Sequence, residues 1–272
     1  MAAPHKLIKD RHTNGISILD WTVLSHKTSI LNSQEIDRAT ADLGIPIPEM
    51  IFGNNYLSIE HNSGFKLEFK ALPALAMVDQ TASANELIQV SYAREWFTQR
   101  SMANQEHITD VIKPYDWTYS TKYNGTNLSS QEHMFFQPTM TETIDIDQLT
   151  RPDPILYYDE NILFEDELAD NGTAVLTTKV RVMPSCFLVL LRFFLRVDDV
   201  LFRIYDTRIY HRFGTNTIVK ECSVREDSYR DTRARIPRAK GDDLSLLLDS
   251  NWVSSQLPVK ESKIEAALLS QS

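Results

Sequence analysis

The stretch from Arg181 to Arg212, RVMPSCFLVLLRFFLRVDDVLFRIYDTRIYHR, constrains the fold more than any other part of the chain. Its apolar run suggests a membrane helix, but Arg192 and Arg196 interrupt it short of the roughly 18 to 20 apolar residues that a span needs. Aromatic and branched residues dominate, Pro184 stands at the entry, and Asp198-Asp199 separates two apolar flanks. A hairpin of long buried strands is therefore expected. The faces of its first strand are unequal. Phe187, Val189, Leu191, Phe193, Leu195 and Val197 alternate on one side, all apolar, whereas Leu188, Leu190, Arg192, Phe194 and Arg196 alternate on the other. One side reads as core and the other as partly polar.

The same alternation extends outward. Val175 to Met183, Phe187 to Val197, Val200 to Arg212 and Thr217 to Val224 read as an antiparallel meander with short turns. Upstream, residues 16 to 31 suggest one or two short strands. Asn32 with Glu35 has capping-box spacing, Ile36, Ala39 and Leu43 share a face, and Gly44 supplies a stop, which predicts a helix over 33 to 43. Leu57 and Ile59, the turn His61-Asn62-Ser63-Gly64, then Phe65, Leu67 and Phe69 describe a half-buried hairpin. A short helix fits 71 to 79, a longer one runs from Ser83 to about Gln99, and 101 to 110 reads as a surface loop. Met134 to Gln137 suggests a strand and 159 to 169 a helix. A weak amphipathic stretch ends the chain near 242 to 249 and 258 to 269. With 272 residues and 42% hydrophobic content the chain can bury a large core in one large domain or two tightly packed lobes; a single domain over 1–272 is expected, with loose ends near 1–14 and 270–272.

Chemistry-bearing motifs are scarce. The 8 glycines build no phosphate loop or dinucleotide fingerprint, and no Gly-x-Ser-x-Gly elbow occurs. Cys186 and Cys222 have no Cys or His neighbour at metal-ligand spacing and read as free core thiols. The 7 histidines are scattered, and the acidic runs Asp145–Asp147 and Glu165–Glu167 read as charged turns or helix ends. No cofactor is expected. A net charge of -9, from 37 acidic against 28 basic residues, gives no footprint for nucleic acid. The amino-terminal MAAPHKLIKDRH lacks an apolar signal core, so no membrane partner and a reducing cytoplasmic or nuclear setting are expected.

Two groups of residues suggest recognition. Arg181, Arg192, Arg196, Arg203 and Arg208 lie within strands that otherwise bury themselves. A guanidinium fixed beside an apolar wall can grip a carboxylate with two parallel bonds, or can pair internally with acids such as Glu165, Asp166, Glu167 or Asp206. Asp116, Trp117, Tyr119 and Tyr123 combine flat contact area with polar handles, as recognition surfaces do, but they also suit core packing.

Pro48-Glu49-Met50-Ile51-Phe52-Gly53, His61-Asn62-Ser63-Gly64-Phe65, Ile112 through Tyr119, Leu163 through Leu168, the run Arg181 to His211 and Leu257 through Glu261 together resemble the TIPRL family. These are TOR-signalling regulators that interact with type 2A protein phosphatases, and the resemblance covers nearly the whole chain. It implies an α+β fold: a sandwich-like central antiparallel β-sheet assembly, an α/β region on one surface and a peptide-binding cleft on the other. It further implies a non-catalytic regulator that binds catalytic subunits of type 2A-like phosphatases through their C-terminal tail. Positions tied to phosphatase binding in the family fall on Ile144, Ile204 and Asp206, and another falls near Pro73, where the family more often has an acidic residue. Residue type and place in the motifs add Trp117, Tyr119, Arg203 and Arg208 as cleft candidates. The competing readings are an adaptor that binds only a phosphatase-associated chaperone, and a small-molecule hydrolase using carboxylates near Glu165 with Arg192.

Overall fold

The computed structural model of the chain describes residues 4–80, 115–237 and 244–269. In chain order the strands are β1 (His5–Lys9), β2 (Thr13–Ile18), β3 (Trp21–His26), β4 (Met50–Ile51), β5 (Tyr56–His61), β6 (Lys66–Lys70), β7 (Thr126–Asn127), β8 (Gln137–Pro138), β9 (Tyr157–Asp166), β10 (Gly172–Val182), β11 (Cys186–Val197), β12 (Leu201–Arg212), β13 (Thr217–Ser228) and β14 (Val259–Leu268). The helices are α1 (Ser33–Leu43), α2 (Ala71–Leu75), α3 (Ile146–Thr150), α4 (Tyr229–Arg233) and α5 (Ser250–Gln256), with 3-10 turns at Glu132–Met134 and Leu244–Leu248. The predicted helix from Ser83 and the loop at 101 to 110 lie outside the described residues.

A 6-stranded sheet ordered β1-β2-β3-β5-β6-β7 and an 8-stranded sheet ordered β4-β9-β10-β11-β12-β13-β14-β8 make an α+β fold of mostly antiparallel strands. The expected meander is β10 to β13, joined by hairpins. The apolar side of β11 is all core: Phe187, Val189, Leu195 and Val197 are 0% exposed, Phe193 1% and Leu191 2%. These side chains meet Trp21, Val23, Leu57, Ile59, Leu67 and Phe69 of the smaller sheet in one apolar cluster. The indole of Trp21 lies 4.9 Å from the ring of Phe187 and 4.7 Å from that of His211. Each large side chain buried there contributes roughly 1.5–3 kcal/mol. The layers are also joined through Asn161, whose amide donates to the backbone carbonyls of His26 at 2.9 Å and Tyr56 at 3.2 Å, while accepting from Asn55 Nδ2 at 2.9 Å.

The local signals act as expected in several places. Asn32 accepts from the backbone of Gln34 and Glu35, the Glu35 carboxylate accepts from Asn32 N at 2.9 Å, and Gly44 ends α1 at φ 70°. In the β11–β12 turn, Asp199 takes the left-handed conformation at φ 59°, which short acidic side chains tolerate. Gly172 opens β10 at φ 148°, where an added Cβ would lie 1.9 Å from the Arg196 carbonyl oxygen.

Four expectations are corrected. Residues 159 to 169 hold most of β9 rather than a helix. Phe164 pairs with Leu176 and Ile162 with Thr177, so Leu163 is the extra residue of a bulge; it and Phe164 are both 0% exposed. The bulge turns two consecutive side chains inward, producing the bunched apolar residues that resembled a helix face. Met134 to Gln137 runs from the last residue of a 3-10 turn, through Phe135 and Phe136, to the first residue of β8. The amphipathic tail is a 3-10 turn followed by β14, which pairs with β13. Within 1–14, expected as a loose end, β1 pairs along its whole length with β2, Leu7 opposite Ile16.

Candidate functional site

The face of the larger sheet that points away from the smaller one carries Leu190, Arg192 and Phe194 of β11 opposite Arg208, Asp206 and Ile204 of β12. Both ends of this outer face are covered. At one end Phe194, Phe202 and Ile204 lie beneath Val253 of α5 and beneath Leu247 and Leu257, which bracket that helix. At the other, Cys186, Tyr210 and Val219 pack with Met183 and Ile144. The band between the covers is polar, formed by Thr177, Lys179, Arg208, Glu221 and Ser223 around Leu190.

The band is knitted by ions. Arg192 faces Asp206 directly, with Nε and Nη2 each donating at 2.7 Å to the two carboxylate oxygens. Both side chains are buried, at 6% and 0% exposed. Arg192 Nη1 donates to the Ser250 carbonyl at 3.0 Å and Asn251 Oδ1 at 3.0 Å, and Nη2 to Ser254 Oγ at 3.3 Å. Every guanidinium N–H thus has an acceptor, as burial of a charge requires. Arg208, with its side chain 30% exposed, reaches Glu221 at 3.0 Å and Asp206 at 3.5 Å. Beside α5 a groove of about 530 Å³ is lined by Glu165, Thr177, Arg192, Phe194, Leu248 and Ser250. A second depression of about 640 Å³ lies beside Thr143, Ile144, Tyr210 and Arg212.

The seven sequence candidates do not form one cluster. Ile144, Ile204, Asp206 and Arg208 belong to the outer face, but Ile144 is 7%, Ile204 0% and Asp206 1% exposed, leaving Arg208 as the one with an accessible head. Arg203 lies on the opposite face of β12, where Nε donates to Glu226 at 2.6 Å and Nη1 to Ser120 Oγ at 3.0 Å. Tyr119 is buried at φ 55° against Tyr115 and Phe164, and burial, reinforced by Asp166, pushes its hydroxyl pKa well above the usual phenol range. Trp117 is half-buried against the main core. These three are joined to the interior side of the sandwich.

The remaining sequence signals have structural roles. Asp166 accepts from Leu168 N at 2.7 Å and Glu49 N at 3.0 Å, and Asp145 caps α3 by accepting from Gln148 N at 2.8 Å. Both cysteines are free, and burial raises the pKa of each thiol. Among the described residues no group of His, Cys, Asp and Glu could hold a metal ion, and no helix is long and apolar enough to cross a membrane. The α5 contacts of Arg192 were missed. Half of the signal was available: a turn spanning Asp198 to Val200 places Arg192 opposite Asp206 by counting outward. The Ser250-Asn251 acceptors arrive from a distant segment with no periodic mark.

The structure is a two-layer α+β sandwich whose outer sheet face presents an ion-paired polar band between two apolar covers. The chain belongs to the TIP41-like family, whose profile matches residues 50–233. It is 40% identical over 278 residues to a TIP41-like protein of Dictyostelium discoideum, covering 98% of this chain and 96% of the relative. It is 41% identical over 246 residues to the TIP41-like protein of Homo sapiens, covering 90% and 86%. Identity is 42% over 266 residues to the type 2A phosphatase activator TIP41 of Saccharomyces cerevisiae, covering 92% of this chain and 73% of that one.

Proposed function

We propose that this chain is a non-catalytic regulator of type 2A-like Ser/Thr protein phosphatases that binds their catalytic subunits by the C-terminal tail. The reading places it in TOR-linked signalling in the cytoplasm and nucleus, with a phosphatase-associated chaperone as a further partner. Family membership and the name of the yeast relative support the phosphatase class. The observation that carries the tail-binding reading is Arg208, a cation held on a rigid strand at 30% exposure in the polar band between two apolar covers. An extended peptide laid across this band would meet a guanidinium for its carboxylates and apolar shoulders for its hydrophobic side chains.

Calorimetric titration of the full chain with a peptide of the phosphatase C-terminal tail tests the proposal. A charge-assisted bond contributes about 1.5–3 kcal/mol, so Arg208→Ala is expected to weaken binding by about 10- to 100-fold. Equal affinity in the variant removes the band as the seat. Capture of a chaperone from purified components, with no direct contact to the catalytic subunit, would favour the adaptor reading.

A further inference from the structure

We infer that the buried Arg192–Asp206 pair is a latch that seats α5 on the outer face, and that Asp206 is a positioning residue rather than a contact for the partner. The inference rests on the phosphatase-binding reading for its functional half and on geometry alone for its structural half. Asp206 has a carboxylate that is 0% exposed and both of whose oxygens are taken by Arg192. No partner side chain can reach it on this surface. What the carboxylate does is hold the guanidinium in one orientation, and the donors left over point at α5: to the carbonyl of Ser250, the amide oxygen of Asn251 and the hydroxyl of Ser254.

α5 needs such a fastening. At 7 residues it is too short to be stable through its own backbone bonds. Its own apolar anchorage is Val253 and the half-buried Trp252, with Leu247 before it and Leu257 after it, all packed with Phe194, Phe202 and Ile204. Ile204 therefore acts on the same element as Asp206, one from below by packing and the other through Arg192. The groove of about 530 Å³ has Arg192 in its lining together with Ser250 and, just before α5, Leu248, whose apolar side chain is 63% exposed. The latch thus sets where one wall of that groove stands.

The double variant Arg192→Met/Asp206→Leu separates this from a simple stability role. It replaces a buried ion pair by apolar side chains, an exchange cores often tolerate without loss of stability, yet it removes the donors that reach Ser250, Asn251 and Ser254, leaving only Arg235 on the Gln256 carbonyl and Arg225 on the Leu257 carbonyl at the far end of α5. The expected result is thermal unfolding close to that of the parent, amide exchange in 250–257 faster by about tenfold or more, and capture of a purified type 2A catalytic subunit weaker by about tenfold. Unchanged exchange in α5, or loosened α5 with undiminished capture, overturns the proposal. Should the double variant fail to fold, Asn251→Ala/Ser254→Ala removes acceptors from the α5 side alone. It is expected to speed exchange in the same residues and to lower capture, and parental behaviour in either readout again overturns the latch. If the parent chain itself captures no catalytic subunit, the phosphatase reading fails, and exchange in α5 still decides whether the latch exists.

Discussion

Asp206 and Arg208 lie two residues apart on one strand face and illustrate opposite uses of charge. Asp206→Asn leaves Arg192 buried with its charge uncompensated, which is expected to cost about 3–5 kcal/mol in a chemical denaturation series. Arg208→Ala removes a side chain that is already 30% exposed, and its loss is expected to cost only about 0–1 kcal/mol of stability. A tail-binding defect in the second variant would therefore report on contact, and one in the first on folding or placement. His211 adds a pH dependence. Its ring is 2% exposed, Nδ1 lies 2.9 Å from the Thr217 carbonyl, and burial, then the proximity of His61, lowers its pKa to about 4 from the usual 6.5. The folded state therefore resists a proton that the unfolded state accepts. Stability is complete above about pH 6.5 and falls as pH drops from there to about 4, by up to about 3 kcal/mol from this group. Denaturant midpoints at pH 7 and 4.5 should show the fall, and a smaller difference is expected in His211→Gln.

At the scale of elements, the signals that survived into the structure were local ones. The α1 cap depends on Asn32 and Glu35 alone, and Asn32→Ala is expected to cost about 1 kcal/mol, with faster amide exchange confined to the first turn of α1. The meander was legible because β11 alternates without a break. β9 was not, since its bulge lets Leu163 and Phe164 share an interior that strict alternation would divide. The site was half legible for the same reason. Polar interruptions in an apolar strand marked the outer face, but burial of Asp206 and Ile204 is decided by α5, which covers them from some fifty residues away, a tertiary event no periodicity records. Arg203 was grouped with Arg208 by charge and motif, although two residues five apart on one strand point to opposite faces, a parity the sequence already held.

At the scale of the molecule, the two sheets are not sequential halves. β4 lies between β3 and β5 in the chain yet pairs with β9 in the other layer, and the Asn55–Asn161 contact bridges the same distance. The smaller sheet supplies half of a shared core and has no second face of its own to bury Trp21, Ile59 and Phe69. A fragment ending at residue 130 is accordingly expected to show no cooperative thermal transition; a sharp one would mean that the first layer folds unaided. In the order in which a ribosome releases the chain, all of β1 to β7 emerges before the first residue of β9. The nascent protein therefore passes through a stage at which its first half is complete in sequence and still greasy on one side, waiting for β11 to arrive and cover it.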